Sequence, residues 1–172
     1  MDEKTGIKAD EKRWTDFEKN KKTFESSMNI SARETAVLNI GAMAGNTNDP
    51  ELAKECIDAL GAILTSEKEH HTTRVAAARA LGNTRSPLAL DYLEKVLMAS
   101  DYDKENKYMT NVRAEAVRAL DLIVLPLINL TDRESAEAVK RIRAILQYVE
   151  ETDVYNPQRI AREILRKAKW SY

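Results

Sequence analysis

The sequence predicts an all-α protein, an α-α superhelix of about four helical pairs. Three observations carry that reading. An arginine-led phrase recurs as Arg33-x-x-Ala36-Val37-x-x-Ile40-Gly41, Arg74-x-x-Ala77-Ala78-x-x-Leu81-Gly82 and Arg113-x-x-Ala116-Val117-x-x-Leu120-Asp121, with starts 41 residues (33 to 74) and then 39 residues (74 to 113) apart. Such a period accommodates two helices and their turns. Five glycines and four prolines are too few for a turn-rich β protein. Finally, Asp49-Pro50, Ser86-Pro87 and Asn156-Pro157 each place a capping residue before a proline suited to the first helical position.

The elements follow in order. Residues 1–10 read as a disordered leader, and 11–172 as a single domain. In the first helix Trp14, Phe17, Phe24 and Met28 share one face, interrupted by Lys21. Ser31-x-x-Glu34 is a candidate capping box for the helix holding the first phrase, and Gly45 to Asp49 forms a loop. Helices are expected over about 50–65 and 87–99, with the second phrase entered through Thr72-Thr73 between them. The third phrase follows Asn111, and its helix ends near Pro126. Thr131-x-x-Glu134 is a second candidate box, opening a helix to about Val149 with Val139, Ile142 and Leu146 on its apolar face. A last helix from Pro157 carries Ile160, Ala161, Ile164 and Leu165. The pairs are therefore about 11–44, 50–83, 87–125 and 132–170, with Pro157 replacing the arginine in the last. Terminal repeats of a stacked array deviate because one side faces water.

Offsets of three, four and seven residues from the arginine lie on one helical stripe, so these alanines, valines and leucines face the core. Alanine at the first offset lets helices approach closely. Glycine after Ile40 and Leu81 relieves crowding where the neighbouring pair packs.

Composition bounds the function. A formal net charge of −1 gives no global attraction to nucleic acid or acidic lipid, so an electrostatic partner must be recognised locally. Cys56 is the single cysteine and reads as a small buried apolar residue beside Leu52, Ala53 and Leu60. The longest apolar run, Leu122 to Ile128, is far short of the roughly 20 residues a membrane span needs. The charged start, Met1 to Lys12, has no signal-type stretch. A cytoplasmic location is the default expectation, and a trimmed exported form would look the same. No membrane partner is expected.

Thr73-Arg74-Val75-Ala76-Ala77-Ala78-Arg79-Ala80-Leu81-Gly82 and Asn111-Val112-Arg113-Ala114-Glu115-Ala116-Val117-Arg118-Ala119-Leu120 resemble the second-helix signature of the HEAT-repeat superfamily. The resemblance is closest to the short bacterial and archaeal type also seen in phycobilisome lyase-like proteins. It covers roughly residues 11–170 and implies a HEAT-like solenoid whose second helices line a concave face. It also implies an arginine bonded to an aspartate in the preceding loop. Here the positions six before the arginines are Ser27, Lys68 and Lys107, so that ladder is absent or rewired. The superfamily's hydroxylases hold iron with His-Glu pairs at the start of second helices. This chain has Glu34-Thr35, Val75-Ala76 and Ala114-Glu115 there, which excludes that activity.

Five residues after each phrase start comes a column of Leu38, Arg79, Arg118 and, counted from Pro157, Arg162, flanked by Arg159 and Arg166. A five-residue step turns about 140° away from the phrase arginine, so the column points away from the core stripe. On a concave face it makes a basic stripe for carboxylates or phosphates. Alternatively these arginines are solvated and partly paired with Glu115 and Glu163. The last helix has Arg159, Arg162, Arg166, Lys167 and Lys169 against Glu163, readable as a contact surface or as the polar outer face of a capping helix.

His70-His71 reads as exposed loop, since adjacent histidines seldom converge on one ion. Asp101-x-Asp103-x-Glu105 resembles the start of a calcium loop, but Asn106 and Val112 replace the glycine and glutamate such a loop needs. The segment Ser100 to Thr110, with Tyr102, Tyr108 and Met109, is a long loop and a candidate contact element. Trp14 and Trp170 read as packing residues of the terminal helices. The sequence offers no Ser-His-acid set, glycine-rich phosphate loop or cysteine cluster, so no catalytic residue, cofactor or metal is expected.

The resulting expectation is a non-enzymatic scaffold or adaptor that binds a protein or peptide with acidic groups along its concave face. Arg79, Arg118 and Arg162 would be its contacts, with Leu38 an apolar neighbour and Arg159 and Arg166 alongside. The alternatives are a nucleic-acid-binding protein similar to the HEAT-like alkylpurine DNA glycosylases, or a lyase- or chaperone-like helper.

Overall fold

Among the described residues eight α-helices follow one another with short turns between most of them. The computed structural model describes residues 3–99, 106–168 and 170. The helices are α1 (Glu3–Ser26), α2 (Ile30–Asn46), α3 (Pro50–Thr65), α4 (His71–Thr84), α5 (Leu90–Leu97), α6 (Lys107–Leu127), α7 (Arg133–Thr152) and α8 (Tyr155–Lys167). A 3-10 turn, Pro87–Ala89, leads into α5. They form the four expected pairs. α1 already begins at Glu3, inside the stretch read as a leader, and runs without a break into the residues around Trp14.

Local chemistry fixes where each helix starts. The Asp49 carboxylate accepts the amides of Glu51 and Leu52, with Pro50 at the first helical position, as its sequence indicates. Ser86 likewise accepts from Leu88. Elsewhere the caps differ from those anticipated, three of them lying upstream and that of α7 one residue downstream. Asn29 rather than Ser31 caps α2, accepting from Ala32 at 3.2 Å. His70 rather than Thr72 caps α4, Asn106 rather than Asn111 caps α6, and Asp132 rather than Thr131 caps α7. For α2, α4 and α6 a competent acceptor stands two to five residues earlier, and the helix extends to it, gaining backbone hydrogen bonds. Tyr108 and Met109 therefore sit in the first turn of α6, not in a loop. The last helix opens at Tyr155 instead of Pro157, with no side-chain cap. Met28 lies beyond the end of α1 and is 99% exposed, so it leaves the stripe to which its spacing assigned it.

The phrase builds the core. Ala36, Val37 and Ile40, then Ala77, Ala78 and Leu81, then Ala116, Val117 and Leu120 are all buried, as are Ile160, Ala161 and Ile164 in α8. They pack on Leu52, Cys56, Leu60 and Leu64 of α3, on Leu93 and Leu97 of α5, and on Ile142 and Leu146 of α7. Each fully buried side chain of this size contributes about 1.5–3 kcal/mol. Cys56 is fully buried, and burial pushes its thiol up to about 12.

The two layers are joined differently. Second helices touch in unbroken order α2, α4, α6, α8, while contacts among first helices are sparse. A Cβ on Gly41 would come within 2.6 Å of the Ala80 Cβ, and one on Gly82 within 2.7 Å of the Ala119 Cα. Small residues therefore let this layer close up. In the other layer long side chains span the gaps. The Tyr92 hydroxyl donates to Asp58 at 2.8 Å, its ring lies over Gly61, and Arg141 bridges from α7 to Glu94 and Asp91. A closely packed row beside a widely spaced one curves the stack, with the second helices on the inner side.

One buried group stands apart. The Thr73 hydroxyl is fully buried and has no hydrogen-bond partner among the described residues. The equivalent positions in neighbouring repeats are Ala32 and Val112, both apolar. Thr73→Val is expected to raise stability by about 1 kcal/mol. For a chain of this size that lifts the thermal midpoint by about 2–4 °C, measurable by circular dichroism. An unchanged or lower midpoint would mean the hydroxyl is satisfied in solution.

Candidate functional site

The phrase arginines belong to the frame. Arg113 is 1% exposed and donates to the carbonyls of Val96 and Leu97, at the C-terminal end of the first helix in its own pair. Its Nη2 also donates to Asp153 Oδ2 at 2.7 Å, and its Nε to the same carboxylate. Arg74 repeats the pattern, donating from Nε to the Leu64 carbonyl at 2.9 Å. Carbonyls at a helix C-terminus carry partial negative charge, which suits a guanidinium. Arg33 pairs with Glu69 and stacks over the Phe24 ring at 4.4 Å.

The ladder is thus rewired. Instead of the preceding loop, Arg33 and Arg113 reach forward 36 and 40 residues to a carboxylate between the helices of the next pair. Burial pushes the Asp153 carboxyl up and the Arg113 guanidinium down, each disfavouring its charged form. The two-point contact of Nε and Nη2 with one carboxylate, at 2.7–3.2 Å, is what keeps both groups charged.

The column five residues later has a different character. Arg79 on α4 donates from Nε to Glu115 Oε1 at 2.8 Å, and Arg118 on α6 donates from Nη1 to Glu115 Oε2 at 2.9 Å. Their side chains remain 55% and 52% exposed, while that of Glu115 is 12% exposed. One sunken carboxylate thereby gathers two guanidiniums from adjacent second helices, leaving a local excess of one positive charge. Arg79 uses only Nε for this contact, so its terminal nitrogens face outward as donors.

The rest of the column diverges. Arg162 donates to Glu150 of α7 at 2.9 Å, and Arg159 pairs along its own helix with Glu163 at 2.7 Å. Arg166 and Lys167 are exposed on α8, and Lys169 lies outside the described residues. Leu38 holds the equivalent position on α2 and is 40% exposed. Arg79 and Arg118 are therefore held together, whereas Arg162 is turned toward α7.

Beside Arg118 and Glu115 runs a groove of about 280 Å³ between the N-terminal turns of α4 and α6, reaching Asn156. His71, Thr72 and Asn111 line it with polar groups. The sequence reading missed these residues, although Ser31, Thr72 and Asn111 form a hydrogen-bonding column two positions before the phrase arginines. Here His70-His71 has a structural use. His70 caps α4, and the His71 ring stacks between His70 and Tyr108, with centroids 4.3 and 4.1 Å apart. Burial, then the neighbouring His70, lowers the His71 pKa.

The site can supply directional hydrogen bonds and cationic pairing. Among the described residues no group of three or more His, Cys, Asp or Glu side chains could hold a metal ion. The calcium-like stretch at Asp101, Asp103 and Glu105, with Tyr102, lies outside the described residues. Trp14, on α1, and Trp170, just beyond the end of α8, are half-buried, donating to Asp49 and to the Leu165 carbonyl. No described helix is long and apolar enough to cross a membrane.

Comparison with known families finds a match to HEAT repeats over residues 18–109, more than half of the chain, without singling out a subtype. The search of curated proteins finds no match.

Proposed function

Given that the chain belongs to the HEAT-repeat family, we propose that it is a non-enzymatic scaffold whose inner face binds an acidic segment of a partner protein or peptide. The observation that carries the reading is the Arg79–Glu115–Arg118 cluster. Two exposed guanidiniums are fixed by one largely buried carboxylate, so little side-chain entropy remains to be lost on binding. Arginine forks match carboxylates in two-point geometry. The adjoining polar groove offers Thr72, Asn111 and Asn156 to a partner backbone, and Leu38 gives an apolar contact along the same row. Arg162, Arg159 and Arg166 extend the basic surface onto α8, where carboxylates of the chain itself offset part of the charge.

Nucleic acid fits this surface less well. The charge of this chain is balanced, and Arg79, Arg118, Arg159 and Arg162 each already have an internal carboxylate.

The test is a titration of the full chain with an acidic peptide, Glu and Leu alternating over twelve residues, followed by amide NMR. Signals from α4 and α6 around Arg79 and Arg118 should move. The double substitution Arg79→Ala with Arg118→Ala should weaken binding at least tenfold while helicity by circular dichroism stays constant. Unaltered affinity in that variant rejects the cluster as the contact. A single-stranded oligonucleotide titrated in parallel should bind more weakly; tighter binding that falls steeply with salt would favour the nucleic-acid reading instead.

A further inference from the structure

A second cavity lies away from that face and carries its own chemistry. About 530 Å³ opens between the end of α3, the end of α5 and the first turn of α6. Arg74 lines it, only 6% exposed. In the first and third repeats the corresponding arginine meets a carboxylate from the next pair, Glu69 or Asp153. Among the described residues Arg74 meets Met109 instead, whose Sδ lies 3.3 Å from Nη1. A thioether is a weak acceptor and carries no charge. Among the described residues Arg74 has no ion-pair partner, and burial lowers its pKa accordingly. Glu67 acts on Arg74 only at longer range, and burying a cation with no carboxylate in contact is costly, so among the described residues this arginine is the ladder member left short of an anion.

The remaining walls say what kind of anion. Val96, Ala99 and Met109 are apolar, Lys95 adds a second cation, and Glu67 opposes it with a negative charge. One net positive charge beside an apolar wall suits a monoanion with a short hydrocarbon body better than a dianionic phosphate. We infer that the cavity between α3, α5 and α6 is a binding site for a small aliphatic monocarboxylate, its carboxylate on Arg74 and its hydrocarbon body against Val96, Ala99 and Met109. The ligand would complete the ladder where the chain supplies methionine. This site is independent of the inner-face cluster, so its success or failure leaves that reading untouched.

The probe is 4-methylpentanoate, with 4-methylpentanamide and inorganic phosphate as controls, titrated into the full-length chain and followed by amide and arginine Nε–H NMR. The carboxylate should shift Arg74, Ala99 and Met109, while the isosteric amide and phosphate leave them in place. Met109→Glu supplies the missing internal carboxylate and should weaken 4-methylpentanoate binding at least tenfold with helicity retained. Arg74→Lys, which keeps the charge but loses the planar fork, should also weaken it. Asp101→Asn, Asp103→Asn and Glu105→Gln together neutralise the acidic stretch that precedes α6 in the sequence and should leave binding unchanged. The inference is overturned if the wild-type chain does not respond, if the amide binds equally well, or if Met109→Glu binds undiminished. It is overturned as well if binding appears only after the three acidic residues are neutralised, since the guanidinium would then belong to the chain's own carboxylates.

Discussion

Arg113→Ala is expected to cost about 3–5 kcal/mol, the range for breaking a buried ion pair by removing one partner. Against a typical domain stability of about 5–15 kcal/mol, that is a large share of the total. The physical reason is the number of groups orphaned at once. Asp153, 2% exposed, loses its counter-ion, and the Val96 and Leu97 carbonyls lose their donor. Asp153→Ala should cost somewhat less, because Arg113 keeps both carbonyls. Urea unfolding followed by circular dichroism gives the two values, and a double-mutant cycle gives their coupling. Replacing both residues together, Arg113→Met with Asp153→Leu, should recover much of the loss, since an apolar pair carries no desolvation penalty. Amide exchange should show α7 and α8 losing protection first, because Arg113 ties the turn between them to α5 and α6. Single-variant losses below about 1 kcal/mol would mean the pair is solvated.

Gly82→Val should also destabilise, by a smaller amount and for the opposite reason: something is added rather than removed. A Cβ at this position meets the Ala119 Cα at 2.7 Å and Cβ at 2.9 Å. The first obstacle is backbone, which cannot swing aside as a long side chain can. Overpacking of this kind costs about 1–3 kcal/mol, more than the several tenths gained by leaving glycine within a helix. The strain falls on the α4–α6 contact, which also sets the span from Arg79 to Glu115. Gly45→Ala is the matched control. Its nearest neighbour, the Asn83 carbonyl, is at 3.6 Å, an ordinary contact, so it should be stabilising by up to about 1 kcal/mol. Equal thermal midpoints for the two variants would show that α4 and α6 can part without cost.

The pairing of helices was legible because it is written locally. Apolar side chains three, four and seven residues beyond Arg33, Arg74 and Arg113 announce a buried stripe whatever lies opposite. The predicted glycine contacts are likewise met, at Ala80 and Ala119. Capping was harder to read, since Asn29 and Ser31, or Asp132 and Thr131, are both competent acceptors, and only tertiary packing decides how far a helix extends. The forward ladder was not legible. Asp153 lies 40 residues from Arg113, outside any motif, and nothing in either segment marks them as partners. Pairing of the column with Glu115 and Glu163 follows one alternative weighed from sequence, but Arg162 turns to Glu150, which periodicity within a helix could not reveal. Tyr92 stacking over Gly61 was equally hidden, because a ring that bridges two first helices looks in sequence like any half-buried aromatic.

Those two layers respond to force in different ways. The inner row is set by the size of glycine and alanine at contact distance and resists both stretching and compression. The outer row is held by Arg141 and its two acidic partners and by the Tyr92 hydroxyl, groups on flexible stems open to water and ions. The molecule is therefore stiff along one edge and compliant along the other, a leaf spring that can change its radius to suit what it grips.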